Sequence, residues 1–168
     1  RSVMPGSAKG AYFFPPFPLS MQRGEGCHLW DVDGHQYLDC ANHHTAQILG
    51  HNHPKVIEVV QRQIQRGVAL GAPVGVETEL AELLCQRVAS LDKVRFCNSG
   101  TEAIETALMM ACLATGRTEI IALRVGYHGR SFMAPSVTAH SGWRPLATPV
   151  AGIKHAMSPN AYRCPFRQ

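Results

Sequence analysis

The run from Val94 to Leu123 constrains the fold more than any other part of the chain. A short apolar segment, Val94 to Cys97, reads as a strand, and Asn98-Ser99-Gly100 reads as a turn. Thr101 to Thr115 follows as a helix stopped by Gly116, and Glu119 to Leu123 as a second strand. A strand, a crossover helix and another strand make a βαβ unit, parallel and right-handed by default. The expected class is therefore α/β. The chain has 168 residues, enough for the core of one domain. With 45% hydrophobic and 17% charged residues it is not a disordered sequence. Its net charge of +4 is dispersed, without a Lys/Arg run, which argues against a nucleic-acid partner. No apolar stretch reaches the roughly 18 residues that a membrane-spanning helix needs.

Other segments are punctuated by proline and glycine. The first twenty residues form a Gly/Pro/aromatic arm, with Tyr12-Phe13-Phe14-Pro15-Pro16-Phe17-Pro18 expected to be extended and either to pack on a body or to line an entrance. Cys27 to Trp30 and Gln36 to Leu38, joined by Asp31-Val32-Asp33-Gly34, read as a β-hairpin in which both aspartates serve the turn. Pro54 opens a helix behind Asn52 or His53, and Val56, Val59, Val60 and Ile64 form its apolar stripe. A further helix is expected from about Glu77 to Val88. Ser131 to Gln168 shows little period and reads as irregular. The domain expectation is an arm and hairpin segment over 1–50 and a partial large domain over 51–168. The cysteines include no CxxC pair and mostly lie in apolar segments, which points to reduced thiols and a cytoplasmic setting.

Three features could carry chemistry. In Asn98-Ser99-Gly100-Thr101-Glu102, Ser99 and Glu102 have the spacing of a capping box. A helix N-terminus at the end of a parallel strand presents unpaired amides to a phosphate, and the Ser99 and Thr101 hydroxyls add donors. An ordinary capped helix with nothing bound would have the same sequence. Gly126-Tyr127-His128-Gly129 follows the next strand, where ligands of parallel sheets lie, and could offer Tyr127 face-on to a planar ligand or be a plain surface loop. His43, His44, His51 and His53, with Asp39 and Cys40 nearby, could ligate zinc or be loop and cap residues; no second ligand cluster with zinc-like spacing exists elsewhere, so no metal is expected.

Taken in order, four segments resemble the class-III aminotransferases, pyridoxal-phosphate (PLP) enzymes of fold type I that include the ornithine and GABA transaminases. They are Gly24 to Gly34, Leu49 to Pro54, Phe96 to Ala103, and Tyr127-His128-Gly129. Ile48 through Arg117 is most similar to the branch containing glutamate-1-semialdehyde aminomutase, and Ala161 to Phe166 also resembles a family segment. The resemblance implies an N-terminal arm, a small hairpin segment and the first part of the fold type I large domain. It implies transfer of an amino group between an amine or amino acid and an oxo acid or aldehyde, with a homodimer as the working form. Ser99, Gly100 and Thr101 match the phosphate-binding loop, Tyr127 the aromatic stacked on the pyridine ring, and His128 the position beside it. The family's Schiff-base lysine lies in a downstream motif that none of Lys9, Lys55, Lys93 and Lys154 matches, so the chain is expected to be an N-terminal half, inactive alone. Where the aminomutase branch carries an aromatic ahead of its Leu-Gly-His, this sequence reads Asn42-His43-His44-Thr45, making His44 a candidate substrate-specificity residue. Alternatives are a naturally short, non-catalytic PLP-binding or subunit-interaction chain, and a histidine-based zinc module. A sheet with only its first strands should also leave an edge uncovered, so self-association is expected.

Overall fold

A computed structural model describes residues 13–14, 17–144, 150–164 and 166, the side chains of 13–18 and 141 excepted. The chain divides into two compact units, 1–75 and 76–168.

In the first unit, the short strands β1 (Phe13–Phe14) and β2 (Phe17–Pro18) pair antiparallel. What the aromatic arm packs against lies outside the described residues. Next comes a three-stranded antiparallel sheet of β3 (Met21–Glu25), β4 (His28–Asp31) and β5 (Gln36–Leu38), in that order. The expected hairpin is present, with His28 opposite Leu38 and Trp30 opposite Gln36. β3 is an addition to the sequence reading: Met-Gln-Arg-Gly-Glu has no apolar alternation, and it pairs because β4 offers it a free edge. Among the described residues of this unit, Leu29 is the buried apolar side chain and Asp31 the buried charged one. α1 (Asn42–Thr45) is a single left-handed turn, with φ of 46°, 47°, 55° and 71° along it. α2 (Pro54–Ile64) starts at its proline as expected, His53 standing at the N-cap without a side-chain capping bond. Its stripe of Val56, Val59, Val60 and Ile64 is exposed.

The second unit contains α3 (Gly75–Arg87), α4 (Gly100–Thr115), β6 (Ile120–Leu123), α5 (Ala134–Val137) and β7 (Ile153–Ala156). α4 begins and ends where its sequence signals place it. Ser99 caps it by accepting a hydrogen bond from the Glu102 amide, and Gly116 closes it at φ 66°. The parallel pair is not the expected one. Residues 94–97 form no strand among the described residues, whereas β6 pairs with β7, inside the tail expected to be irregular. The cause is the nature of a strand: its status depends on a neighbour's edge, which local apolar content does not supply. Ile-Lys-His-Ala is short and half polar, yet it finds the edge of β6 in register from Ile120 opposite Ile153 to Leu123 opposite Ala156.

α5 is the best-buried element of this unit. Ala134, Ser136 and Val137 are within 3% of complete burial, and α5 packs against α4, β6 and β7. It lies in the crossover between the two strands, so the segment after the Gly126–Gly129 loop is fixed by its own burial.

Candidate functional site

Four N–H groups at the start of an α-helix lack intrahelical partners. In α4, the Ser99 hydroxyl oxygen accepts from the Glu102 amide at 3.2 Å and the Ser99 carbonyl from the Ala103 amide at 3.0 Å. The Glu102 carboxylate turns back and accepts from the Asn98 amide at 2.9 Å, one residue earlier than in a standard capping box. Among the described residues, the Gly100 and Thr101 amides have no acceptor. Gly100 is exposed, and a Cβ built on it would meet nothing within 4 Å, so the approach to the helix start at Gly100 is open.

The loop after β6 comes to this same helix start. A Cβ placed on Gly129 would collide with Thr101 Oγ1 and lie 2.7 Å from Thr101 Cβ. Only a residue with no side chain allows that approach, and its φ of +112° is one that glycine adopts readily. The helix start and the 126–129 loop therefore meet, through Thr101 and Gly129.

Tyr127 is 48% exposed and meets Trp143 edge-on, with ring centroids 5.8 Å apart at 84°. Trp143 in turn stacks on His140 at 4.2 Å. The edge-to-face contact with Trp143 supports the Tyr127 ring. The half-buried His128 ring folds back toward Gly126 and lines a mostly apolar cleft of about 480 Å³ with Ile104, Leu108, Leu123 and Val137. Its backbone amide donates to Thr138 Oγ1 at 2.9 Å.

Two anchors were not legible from the motifs. Glu105, one turn after Thr101 on α4, accepts through a single oxygen from the Met133 amide at 3.0 Å, the Ala134 amide at 3.1 Å and the Ser131 hydroxyl. Thr138 holds the loop from the other side. The available signal for Glu105 was a carboxylate set among Ile104, Thr106 and Leu108 on a helix otherwise poor in charge.

In the other unit, His43 and His44 are exposed on the left-handed turn. Asp39 Oδ1 accepts from the Ala41 and Asn42 amides, and its Oδ2 lies 2.7 Å from His51 Nε2. His51 is thus a structural partner, and its backbone exchanges hydrogen bonds with Gly26. Among the described residues, the ligand atoms that gather closely enough for a metal are those of Asp31, Asp33 and His35, not of the four histidines. Asp31 has its oxygens committed: Oδ1 accepts from the Asp33 and His35 amides, and Oδ2 from the Tyr37 hydroxyl and the His35 ring. Burial alone would raise its carboxyl, but the bonds from Tyr37 and His35 outweigh burial and hold it at about 2. The same contact with Asp31 pushes the Tyr37 phenol above its ordinary value.

The family model described as aminotransferase class-III matches residues 13–168. The chain belongs to the class-III aminotransferases. It is 45% identical over 132 residues to a glutamate-1-semialdehyde 2,1-aminomutase of Chloroflexus aurantiacus, an alignment covering 79% of this chain and 30% of that one. Among solved structures, it matches a β-phenylalanine aminotransferase from Variovorax paradoxus with a TM-score of 0.77 and 37% identity, over 92% of this chain and 35% of that one. It also matches the taurine:2-oxoglutarate aminotransferase of Bifidobacterium kashiwanohense, solved with PLP and glutamate, with a TM-score of 0.79 and 25% identity over 92% and 36% of the two chains. This class-III aminotransferase chain thus spans about 30% of the length of the curated relative, and its fold is that of the N-terminal part of fold type I PLP transaminases.

Proposed function

We propose that this chain supplies the phosphate-and-ring cradle of a PLP-dependent aminotransferase, which moves an amino group between an amine or amino acid and an oxo acid or aldehyde. The approach of Gly129 to Thr101 carries the reading, because it joins an aromatic loop to a helix start with two open amides. The residues fit the cofactor. The Gly100 and Thr101 amides and the Ser99 and Thr101 hydroxyls are donors for a phosphate, at the helix end whose dipole favours negative charge. Gly100 leaves room for the oxyanion, and the half-exposed Tyr127 ring is available to a flat heterocycle. By the family resemblance, His128 would stand next to that ring. Bound there, PLP supplies an electron sink for charge developing at the reacting carbon. The chain's own part is to hold the phosphate, orient the ring and keep the 126–129 loop against α4.

Relatives solved with PLP and the match to the family support this assignment. The exposed apolar stripe of α2 supports a homodimer, and the thiols of Cys27, Cys40, Cys85, Cys97 and Cys112 support a cytoplasmic setting. The family division into an arm and hairpin over 1–50 and a cofactor domain from 51 belongs to the same reading. His44, exposed on its left-handed turn, is proposed as a substrate-facing residue; its replacement by alanine should then change substrate preference.

Titration of the full chain with PLP, followed by absorbance and by tyrosine and tryptophan fluorescence, tests the reading. Saturable binding that inorganic phosphate displaces is expected. Binding that survives Ser99→Ala, Thr101→Ala and Tyr127→Ala without loss of affinity would place the cofactor elsewhere.

A further inference from the structure

Thr101 and Glu105 stand four residues apart on α4, hence on one face of the helix. Each meets the same stretch of chain, at opposite ends. Thr101 abuts Gly129 at the end of the 126–129 loop. Glu105 accepts from Ser131, Met133 and Ala134, which begin α5. Between these points the chain closes on itself. Thr138, wholly buried just after α5, accepts the His128 amide through its hydroxyl oxygen and donates the hydroxyl proton to the Ala134 carbonyl at 3.0 Å. The Ala139 amide donates to the Gly126 carbonyl at 3.3 Å. The Glu105 carboxylate thus pins α5 to α4, and Thr138 on that pinned segment pins the Tyr127–His128 backbone.

A single carboxylate oxygen serving three donors is strongly committed, since hydrogen bonds to an ionised acceptor are about twice as strong as neutral ones. The Thr138 hydroxyl spends its donor and one acceptor site on the two backbone groups, so it acts as a spacer between them. No part of this circuit touches the open amides of Gly100 and Thr101. It fixes the loop that faces them.

We propose that Glu105 and Thr138 are positioning residues that set the distance of the Tyr127 loop from the α4 N-terminus. The role rests on the cofactor reading above for what the loop meets, and on geometry alone for what holds it. Glu105 does not meet the phosphate; it acts through Ser131, Met133 and Ala134, and Thr138 acts through His128. Removing either should weaken a ligand that needs both the helix end and the ring, and spare one that needs the helix end only.

Amide hydrogen exchange on the full chain, with titrations of PLP and of inorganic phosphate, tests this. In Glu105→Ala and Thr138→Val, exchange at the His128 amide should accelerate about tenfold and PLP affinity fall about tenfold, from the loss of hydrogen bonds to the anchoring groups. Phosphate affinity and exchange at Leu108 to Cys112 within α4 should stay within about twofold. Glu105→Gln keeps an acceptor for the two amides, and Thr138→Ser keeps the hydroxyl, so both should restore most of the loss. Unchanged His128 exchange in both disruptive variants would overturn the proposal. So would equal acceleration throughout α4, which means a general loss of stability. Should Glu105→Ala not fold, Thr138→Val against Thr138→Ser decides alone. A wild-type chain that takes no PLP would overturn the cofactor reading, and the exchange comparison would still decide the positioning role.

Discussion

Gly129 approaches Thr101 so closely that the space where a β-carbon would stand is taken by the threonine hydroxyl. Gly129→Ala therefore meets two costs: overlap with a side chain on a rigid helix, and an alanine at φ +112°. A destabilisation of roughly 2–4 kcal/mol is expected, with the loop displaced from α4. Gly34→Ala is the control, since Gly34 also has positive φ, +88°, but faces open space. It should cost only about 1 kcal/mol. Urea denaturation measures both, and PLP titration should show weakened binding for Gly129→Ala and none for Gly34→Ala.

Asp31 makes the first unit acid-sensitive. Its carboxyl ionises at about 2 in the folded chain against an ordinary value of 3.8. Between those values the unfolded chain holds more protons than the folded one, so stability rises with pH through that window. The contribution is fully present above the unfolded value and is lost as pH falls through the folded one. Denaturant midpoints for the first unit's transition should therefore drop as pH is lowered from about 4 to about 2. Asp31→Asn should lower stability at neutral pH and flatten that slope. An unchanged slope in the variant would assign the acid transition to other carboxylates.

The extent to which the fold is legible in sequence follows from how local each signal is. The ends of α4 depend on Ser99, Glu102 and Gly116 acting within one turn, and the start of α2 on Pro54 alone, so both are readable. The hairpin is readable because Asp31 and Gly34 form its turn chemistry in sequence. β3, β7 and the unpaired 94–97 segment were not, because pairing depends on an edge elsewhere in the chain: β7 joins β6 across the whole α5 crossover. The phosphate and ring motifs were readable as a pair suited to one flat phosphorylated ligand. Their point of contact, Gly129 against Thr101, was not, because it depends on how Glu105 and Thr138 hold the segment after the loop, and neither belongs to a local motif.

The left-handed turn at Asn42–Thr45 is strained in a way that mutation can read. A run of non-glycine residues at φ between 46° and 71° costs roughly 1–2 kcal/mol per residue relative to right-handed backbone. Asp39 offsets this by accepting from the Ala41 and Asn42 amides while bound to His51. His43→Gly or His44→Gly should each stabilise the chain by about 1 kcal/mol, an unusual sign for a glycine substitution. His51→Ala removes the imidazole from a carboxylate that is 2% exposed, and should cost about 2 kcal/mol. Thermal melts of the three variants check both signs. A destabilised His44→Gly would mean that its side chain makes a contact outweighing the relief of strain.

Tyr127 separates the ring's role from that of its hydroxyl. The edge contact with Trp143 uses the ring, as would stacking on a planar cofactor. Tyr127→Phe keeps both, so PLP affinity should change by less than about threefold. Tyr127→Ala removes the platform and leaves the helix N-terminus intact, so PLP affinity should fall by about tenfold, while inorganic phosphate binds as before. Ser99→Ala should do the reverse, weakening phosphate and PLP together and costing about 1 kcal/mol of stability through the lost N-cap. Parallel titrations of the three variants with the two ligands give a pattern that a shared loss of folding cannot mimic. Equal loss of both ligands in Tyr127→Ala would show that the phenol ring and the helix end are not separate halves of one site.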